Sequence, residues 1–246
     1  MIGNAVRLPL IRVNEIFGPT FQGEGQTVGQ ICGFIRVSGC NLTCTWCDTP
    51  YTWDWKGQNG TVYNPKEETT GMYPEQIVYQ IKQMGLPKGS HIVFSGGEPT
   101  LQQTKLIIVM QMLKLEDYKI EIETNGTIKI KDERFYELVD YINCSPKLPN
   151  SGMTLDKTIK PEVLKDFQDR GKNTMFKFVI CDPKDLEIVK NIVDENNLKN
   201  VYIMAEGSNN KDQYLNMHNL APAILEAGYN ISPRLHTLLW NEERAK

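Results

Sequence analysis

The sequence predicts an α/β fold in which about six parallel strands and their crossover helices form an incomplete βα barrel. Three observations carry that prediction. From about residue 34 onward, short apolar runs rich in β-branched residues alternate with longer runs of helical period. Gly, Pro, Asn and Asp punctuate the junctions. The length, 246 residues, suits one barrel or one open α/β sheet, so a single domain over residues 1–246 is the economical reading. Whether the sheet closes or stays open, the loops leaving the C-terminal ends of its strands make the functional face.

In chain order, strands are expected over 34–38, 92–95, 120–124, 141–144, 176–180 and 201–205. Ile77, Ile81 and Met84 stand at helical spacing behind Pro74, with Gly85 to end the helix. Leu106, Met110 and Leu113 repeat the spacing. Further helices are expected over 132–138, 161–170, 185–196 and 216–226. Residues 56–71 are polar and read as a surface insertion.

Basic residues number 27 and acidic residues 30, a net charge of −3, without a block of like charge. Stable nucleic-acid binding and a polybasic membrane patch are therefore not expected. Residues 1–17 mix Arg7, Arg12, Asn14 and Glu15 into their apolar positions, so neither a signal peptide nor a membrane span is read there, and a cytoplasmic location follows. In that compartment the six cysteines stay reduced, and their spacing needs another explanation than disulfides.

Cys40, Cys44 and Cys47 form a CxxxCxxC loop directly after the first expected strand, with Trp46 before the last cysteine. A zinc site normally takes four protein ligands, and no fourth Cys or His lies nearby. A cubic iron–sulfur cluster held by three thiolates leaves one iron open to a small molecule. Chance grouping of buried cysteines, or a zinc loop completed from afar, is the alternative. Cys144 and Cys181, near the ends of apolar strands, read as small core residues.

The CxxxCxxC loop with its aromatic resembles the radical S-adenosylmethionine superfamily. The resemblance implies a radical S-adenosylmethionine core, with a 4Fe-4S cluster on Cys40, Cys44 and Cys47. The cluster's open iron is chelated by S-adenosylmethionine, Trp46 lies along the adenine, and Cys47 and Asp48 also adjoin the cofactor. Ser95 to Pro99 (SGGEP) resemble the segment that binds the methionine amino group. There Gly96 and Gly97 would let the backbone approach the cofactor and Glu98 would balance cationic charge; an ordinary strand-to-helix turn is the alternative. Glu123 ends the third expected strand and Ser145, Pro146 and Lys147 end the fourth, positions that in the superfamily contact the cofactor's ribose and carboxylate. A solvated surface lysine is the alternative for Lys147.

Residues 17–25 (FGPTFQGEG), Arg36, the Cys47–Asp48–Thr49 run and residues 235–240 (LHTLLW) resemble, over essentially the whole chain, the 7-carboxy-7-deazaguanine synthase family. That resemblance implies ring contraction of 6-carboxy-5,6,7,8-tetrahydropterin to 7-carboxy-7-deazaguanine, with release of ammonia. Hydrogen abstraction from C6 begins the reaction. Such a substrate carries a carboxylate, which wants a cation, and a guanine-like edge, which wants acceptors. Arg36 offers the planar fork, with a structural salt bridge as the alternative. Glu24 and the backbone of Phe21, Gln22 and Gly23, within a substrate-binding segment of about 14–30, suit the guanine-like edge. Ser95 and His236 match further family contacts. Thr49 matches a hydroxyl ligand to Mg2+, and otherwise would cap the following turn. A flavodoxin or ferredoxin-type electron donor and a homodimer are implied likewise. Rivals are a glycyl-radical activase and a non-catalytic iron–sulfur regulator; residues 22–24, Arg36 and His236 favour a small charged substrate.

Overall fold

The structure, a computed structural model, describes residues 9–246; the reading of residues 1–17 therefore lies in part outside the described residues. The described residues build one nine-stranded sheet, and all six expected strands are in it. Its strands are β1 (Ile11–Phe21), β2 (Ile31–Val37), β3 (Thr70–Met72), β4 (His91–Gly96), β5 (Lys119–Thr124), β6 (Tyr141–Cys144), β7 (Thr174–Ile180), β8 (Val201–Ala205) and β9 (Asn230–Ile231). The order is β3-β1-β2-β4-β5-β6-β7-β8-β9, parallel from β2 through β9, with β1 antiparallel to both neighbours. The edges β3 and β9 do not pair, so the barrel is incomplete, as its sequence rhythm implied.

The crossovers carry α1 (Pro65–Glu68), α2 (Pro74–Gln83), α3 (Gln103–Leu115), α4 (Arg134–Leu138), α5 (Leu155–Thr158), α6 (Pro161–Arg170), α7 (Asp185–Asn196), α8 (Asn210–Glu226) and α9 (Leu235–Trp240). α8 begins at Asn210 rather than at 216, because the Asn209 side chain accepts from the Asp212 amide at 2.9 Å and caps a polar first turn.

Side chains alternate across each strand, and this alternation separates packing from chemistry. Ile92 and Phe94 of β4, Ile120 and Ile122 of β5, Phe176 and Phe178 of β7 and Ile203 of β8 are buried in the main core. They pack with helix residues such as Ile81, Leu106, Leu164, Phe167 and Val189. The intervening positions, among them Arg36, Ser95, Glu123, Asn143, Lys177 and Met204, line a cavity. Because β2 and β8 both face that cavity, the sheet curls around it.

β1 and β3 differ from the sequence expectation. Gly18 and Pro19 interrupt the alternation of β1, and a strand interior normally excludes proline. Here the register shifts between Phe17 and Thr20, a bulge that accommodates the pair while the strand continues. The expected insertion at 56–71 is partly structural: Thr70 and Gly71 pair with Val13 and Arg12. Cys181 is exposed, unlike the buried Cys144, because it lies one residue past the end of β7. No helix among the described residues is long and apolar enough to cross a membrane.

Candidate active site

At the C-terminal ends of the parallel strands lies a cavity of about 380 Å3. The loop after β2 brings Cys40, Cys44 and Cys47 to its wall. Two outside contacts shape that loop: the Thr45 amide donates to Ser151 O at 2.9 Å, and Asn59 Nδ2 donates to Cys44 O at 3.0 Å. Asn59 is itself held by buried Asp54, which accepts from the Gln58 and Asn59 amides at 2.9 and 2.7 Å. The start of the polar 56–71 stretch thus braces the cysteine loop.

Burial raises all three thiols; with the Glu98 carboxylate nearby, Cys40 is pushed up to about 12. Left alone these groups are neutral, so only a bound cation makes their thiolates favourable. Among the described residues, no three His, Cys, Asp or Glu side chains converge as ligands of one metal ion. Three thiols on one wall are the number that a cluster with one open iron takes from the protein.

Trp46 and Lys147 border the same wall. Trp46 Nε1 donates to Asn150 O at 3.0 Å, and Lys147 Nζ lies 5.7 Å from the Trp46 ring centre while donating to Ser145 Oγ at 2.8 Å. Lys147 is thus part of the wall and not a free surface lysine. Pro146 does not line the cavity.

Gly96 and Gly97 line the cavity, but their need for glycine has a second cause. A Cβ on Gly96 would strike Val37 O, and one on Gly97 would strike Gly39 O, so the SGGEP segment packs backbone to backbone against the cysteine loop. Glu98 has a structural role that the sequence did not show. Its carboxylate is buried behind the cavity, accepting from Thr100 N (3.0 Å), Thr100 Oγ1 (2.6 Å), Thr124 Oγ1 (2.8 Å) and Asn125 N (2.7 Å). It ties the end of β4 to the end of β5, and its charge still reaches Cys40 on the cavity wall.

The β1–β2 loop, α9, the end of the cysteine loop and the ends of β4 and β5 supply further lining. Phe21, Gln22, Gly23, Glu24, Arg36, Asp48, Thr49, Ser95, Glu123 and His236 all line the cavity. Gln22 is buried, donating to Glu121 at 2.5 Å and to Glu123 at 3.3 Å; Ser95 donates to Glu123 at 2.6 Å. Phe21 stacks on Trp240 at 6.3 Å. Glu24 forms ion pairs with Lys177 and Arg234, and Arg234 pairs also with Asp48. Burial alone would raise the Glu24 carboxyl, but the Lys177 and Arg234 cations outweigh it and hold it well below the usual range. Glu24 is thus an ionised acceptor with lone pairs to spare. Burial lowers His236, which therefore favours the neutral imidazole.

Arg36 donates through Nε to Glu15 at 2.7 Å, so the salt-bridge alternative holds for that nitrogen, while the residue still lines the cavity. Thr49 makes no capping bond to the turn that follows, which removes the alternative reading of its hydroxyl. A Cβ on Gly23 would overlap the His236 ring. Gly23→Ala is expected to cost about 1–3 kcal/mol through overpacking and to push His236 off the wall. Urea unfolding checks this, and a midpoint matching the parent would show that α9 yields freely.

Sequence reading missed Lys177, Arg234, Glu121 and Asn143. Two left a signal: Lys177 is a charge inside the apolar strand 176–180, and Glu121 shares the face of Glu123 by period two. Arg234 left none, because only the fold brings it to Glu24 and Asp48.

The radical SAM superfamily model matches residues 34–167. The 7-carboxy-7-deazaguanine synthase of Bacillus subtilis is 32% identical, covering 95% of this chain and 98% of its own length. That of Pyrobaculum aerophilum is 29% identical, covering 97% and 98%. In fold, the crystal structure of QueE from Escherichia coli matches with a TM-score of 0.66 at 21% identity, over 92% of this chain and 95% of that one. A radical SAM chain requires a 4Fe-4S cluster and S-adenosylmethionine, and the three thiols beside a cavity at the strand ends suit both. The chain belongs to the 7-carboxy-7-deazaguanine synthase family of the radical SAM superfamily.

Proposed function

We propose that this enzyme contracts the ring of 6-carboxy-5,6,7,8-tetrahydropterin to 7-carboxy-7-deazaguanine and releases ammonia, a carbon–nitrogen lyase step in queuosine-type 7-deazapurine biosynthesis. One observation carries the reading: a single cavity joins the three-cysteine wall to a wall with Arg36 and ionised Glu24, a cation and an acceptor for the two ends of such a substrate. When bound, the cluster and S-adenosylmethionine supply the one-electron chemistry that takes hydrogen from the substrate.

The chain's own residues do the rest. Cys40, Cys44 and Cys47 hold the cluster; Trp46, Gly96, Gly97, Glu123, Ser145 and Lys147 frame the cofactor side of the cavity. Arg36 takes the substrate carboxylate, and Glu24 accepts from the guanine-like edge beside the backbone of the β1–β2 loop, with Ser95 and neutral His236 completing the wall. Binding both ends fixes the reacting carbon against the cofactor and excludes water. Mg2+ suits Thr49, a cavity-lining residue whose hydroxyl caps no turn and lies 3.7 Å from Cys47 Sγ, because that ion takes few protein ligands.

The whole chain acts as one catalytic unit, as a homodimer in the cytoplasm, reduced by a flavodoxin or ferredoxin-type donor. The test is anaerobic turnover by the reconstituted protein with S-adenosylmethionine, Mg2+, reductant and the tetrahydropterin, read by mass spectrometry. Absence of 7-carboxy-7-deazaguanine despite an intact cluster would overturn the assignment. In the same assay Thr49→Ala is expected to blunt activation by Mg2+, and an unaltered Mg2+ dependence would remove Thr49 as its ligand.

A further inference from the structure

The segment after α9 returns across the mouth of the cavity. The chain reverses at Asn241, whose φ is 57° and ψ −122°. Asn241 Oδ1 accepts from the Asn210 amide at 3.0 Å, which fixes the reversal to α8. Glu242, Glu243 and Arg244 then line the cavity together with Arg36.

Arg244 is pinned there by four partners. It donates to Glu15 Oε2 at 2.9 Å, to Asn14 Oδ1 at 3.0 Å and to Glu68 Oε2 at 2.9 Å, and its guanidinium lies 3.8 Å from the centre of the Tyr51 ring. The other oxygen of Glu15 is the one that holds Arg36 Nε at 2.7 Å, and Tyr51 also reaches that oxygen at 3.4 Å. One carboxylate therefore stands between two guanidinium groups at the cavity mouth. Glu15 is largely buried, with 14% of its side chain exposed, and so is Arg36 at 15%, whereas Arg244 closes the pair from the solvent side with 42% of its side chain exposed.

The consequence for Arg36 is geometric. A long side chain free at its tip loses rotamer entropy when it binds an anion. Side-on capture of Nε by Glu15, with the guanidinium 5.5 Å from the Phe17 ring centre, settles that orientation in advance. The terminal nitrogens of the fork are then the ones left for a ligand's carboxylate. A lone Glu15 would also draw Arg36 toward itself and repel that carboxylate. Arg244 on its second oxygen offsets the negative charge.

We propose that Glu15 and Arg244 are positioning residues for carboxylate recognition: Arg244 of the returning segment clamps Glu15, and Glu15 aims Arg36 at the substrate's carboxylate. The inference rests on Arg36 as the carboxylate-binding residue.

The test is equilibrium binding of two fluorescent probes, 6-carboxypterin and pterin, which differ only in the carboxylate. It uses the cluster-loaded protein, its Arg244→Ala and Glu15→Gln variants, and Arg36→Ala as reference. Each positioning variant is expected to weaken 6-carboxypterin about fivefold to tenfold, an amount typical of one ordinary hydrogen bond, as suits an effect passed through a second residue, and pterin less than twofold. Arg244→Lys, which keeps the charge but loses the fork, is expected to fall between parent and alanine. Equal weakening of both probes would mark the two residues as structural only, and no weakening of either would remove the clamp; both outcomes overturn the proposal. If Arg36→Ala itself binds the two probes as the parent does, the underlying reading of Arg36 has failed, a result distinct from failure of the clamp.

Discussion

Replacing Arg234 with methionine is expected to lower stability by about 3 kcal/mol, the lower end of the range for breaking a buried ion pair from one side. Arg234 is 7% exposed, donates to Glu24 Oε1 at 3.0 Å and Gly207 O at 2.7 Å, and pairs with Asp48. Methionine keeps most of the side chain's volume but leaves the Gly207 carbonyl without that donor and Glu24 with Lys177 alone. The lower end applies because the Asp48 side chain is half exposed and water can replace its partner. Urea unfolding measures the loss as a lower midpoint at an unchanged slope; a loss under about 1 kcal/mol would show that the pairing cancels against its desolvation.

The pH dependence of that difference has a defined sign. Glu24 is held well below its unfolded value of about 4.3. Its share of the stability is present above that value and fades as the pH falls toward the depressed folded one. The gap between parent and Arg234→Met is therefore expected to be full at neutral pH and to narrow in acid. A gap that widens below pH about 4 would contradict the ion-pair account.

The second large effect is on chemistry and leaves the fold in place. Cys44→Ala is expected to abolish stable cluster binding and to reduce turnover at least ~1,000-fold, because a cluster held by three thiolates cannot lose one and keep its open iron poised. Cys44 is buried but belongs to neither apolar core cluster, and its loop is held by the Thr45 and Asn59 backbone contacts, which alanine keeps. The metal-free variant should therefore unfold within about 1 kcal/mol of metal-free parent, since alanine removes one small buried atom and leaves the loop's contacts in place. Iron and sulfide content, visible absorption and product formation read the outcome; a variant with full iron content would exclude Cys44 as a ligand.

How much of this was legible in the chain differs from element to element. β4 to β8 were readable because each is a short run of buried residues whose neighbours are helices of clear apolar period. α6 and α7 match their expected bounds for the same reason. β1 was not, because Gly18 and Pro19 break its alternation and only the bulge against β2 restores it. β9 has two exposed residues and carries no periodic signal at all. Glu98 was legible only as a motif position; that four donors from Thr100, Thr124 and Asn125 hold its carboxylate is decided by the fold.

By itself the sequence determined the alternating fold, the three-thiol loop and the family, since these rest on local periodicity and on residues close together in the chain. Only the tertiary structure decided the charge pattern of the cavity. Glu24 meets Lys177 and Arg234, and Glu15 stands between Arg36 and Arg244, across separations in the chain that no local spacing encodes. Such pairs form where strand ends and returning segments converge in a water-poor cavity, and there the partner of each charge, not its neighbours in the chain, sets its ionisation and its direction.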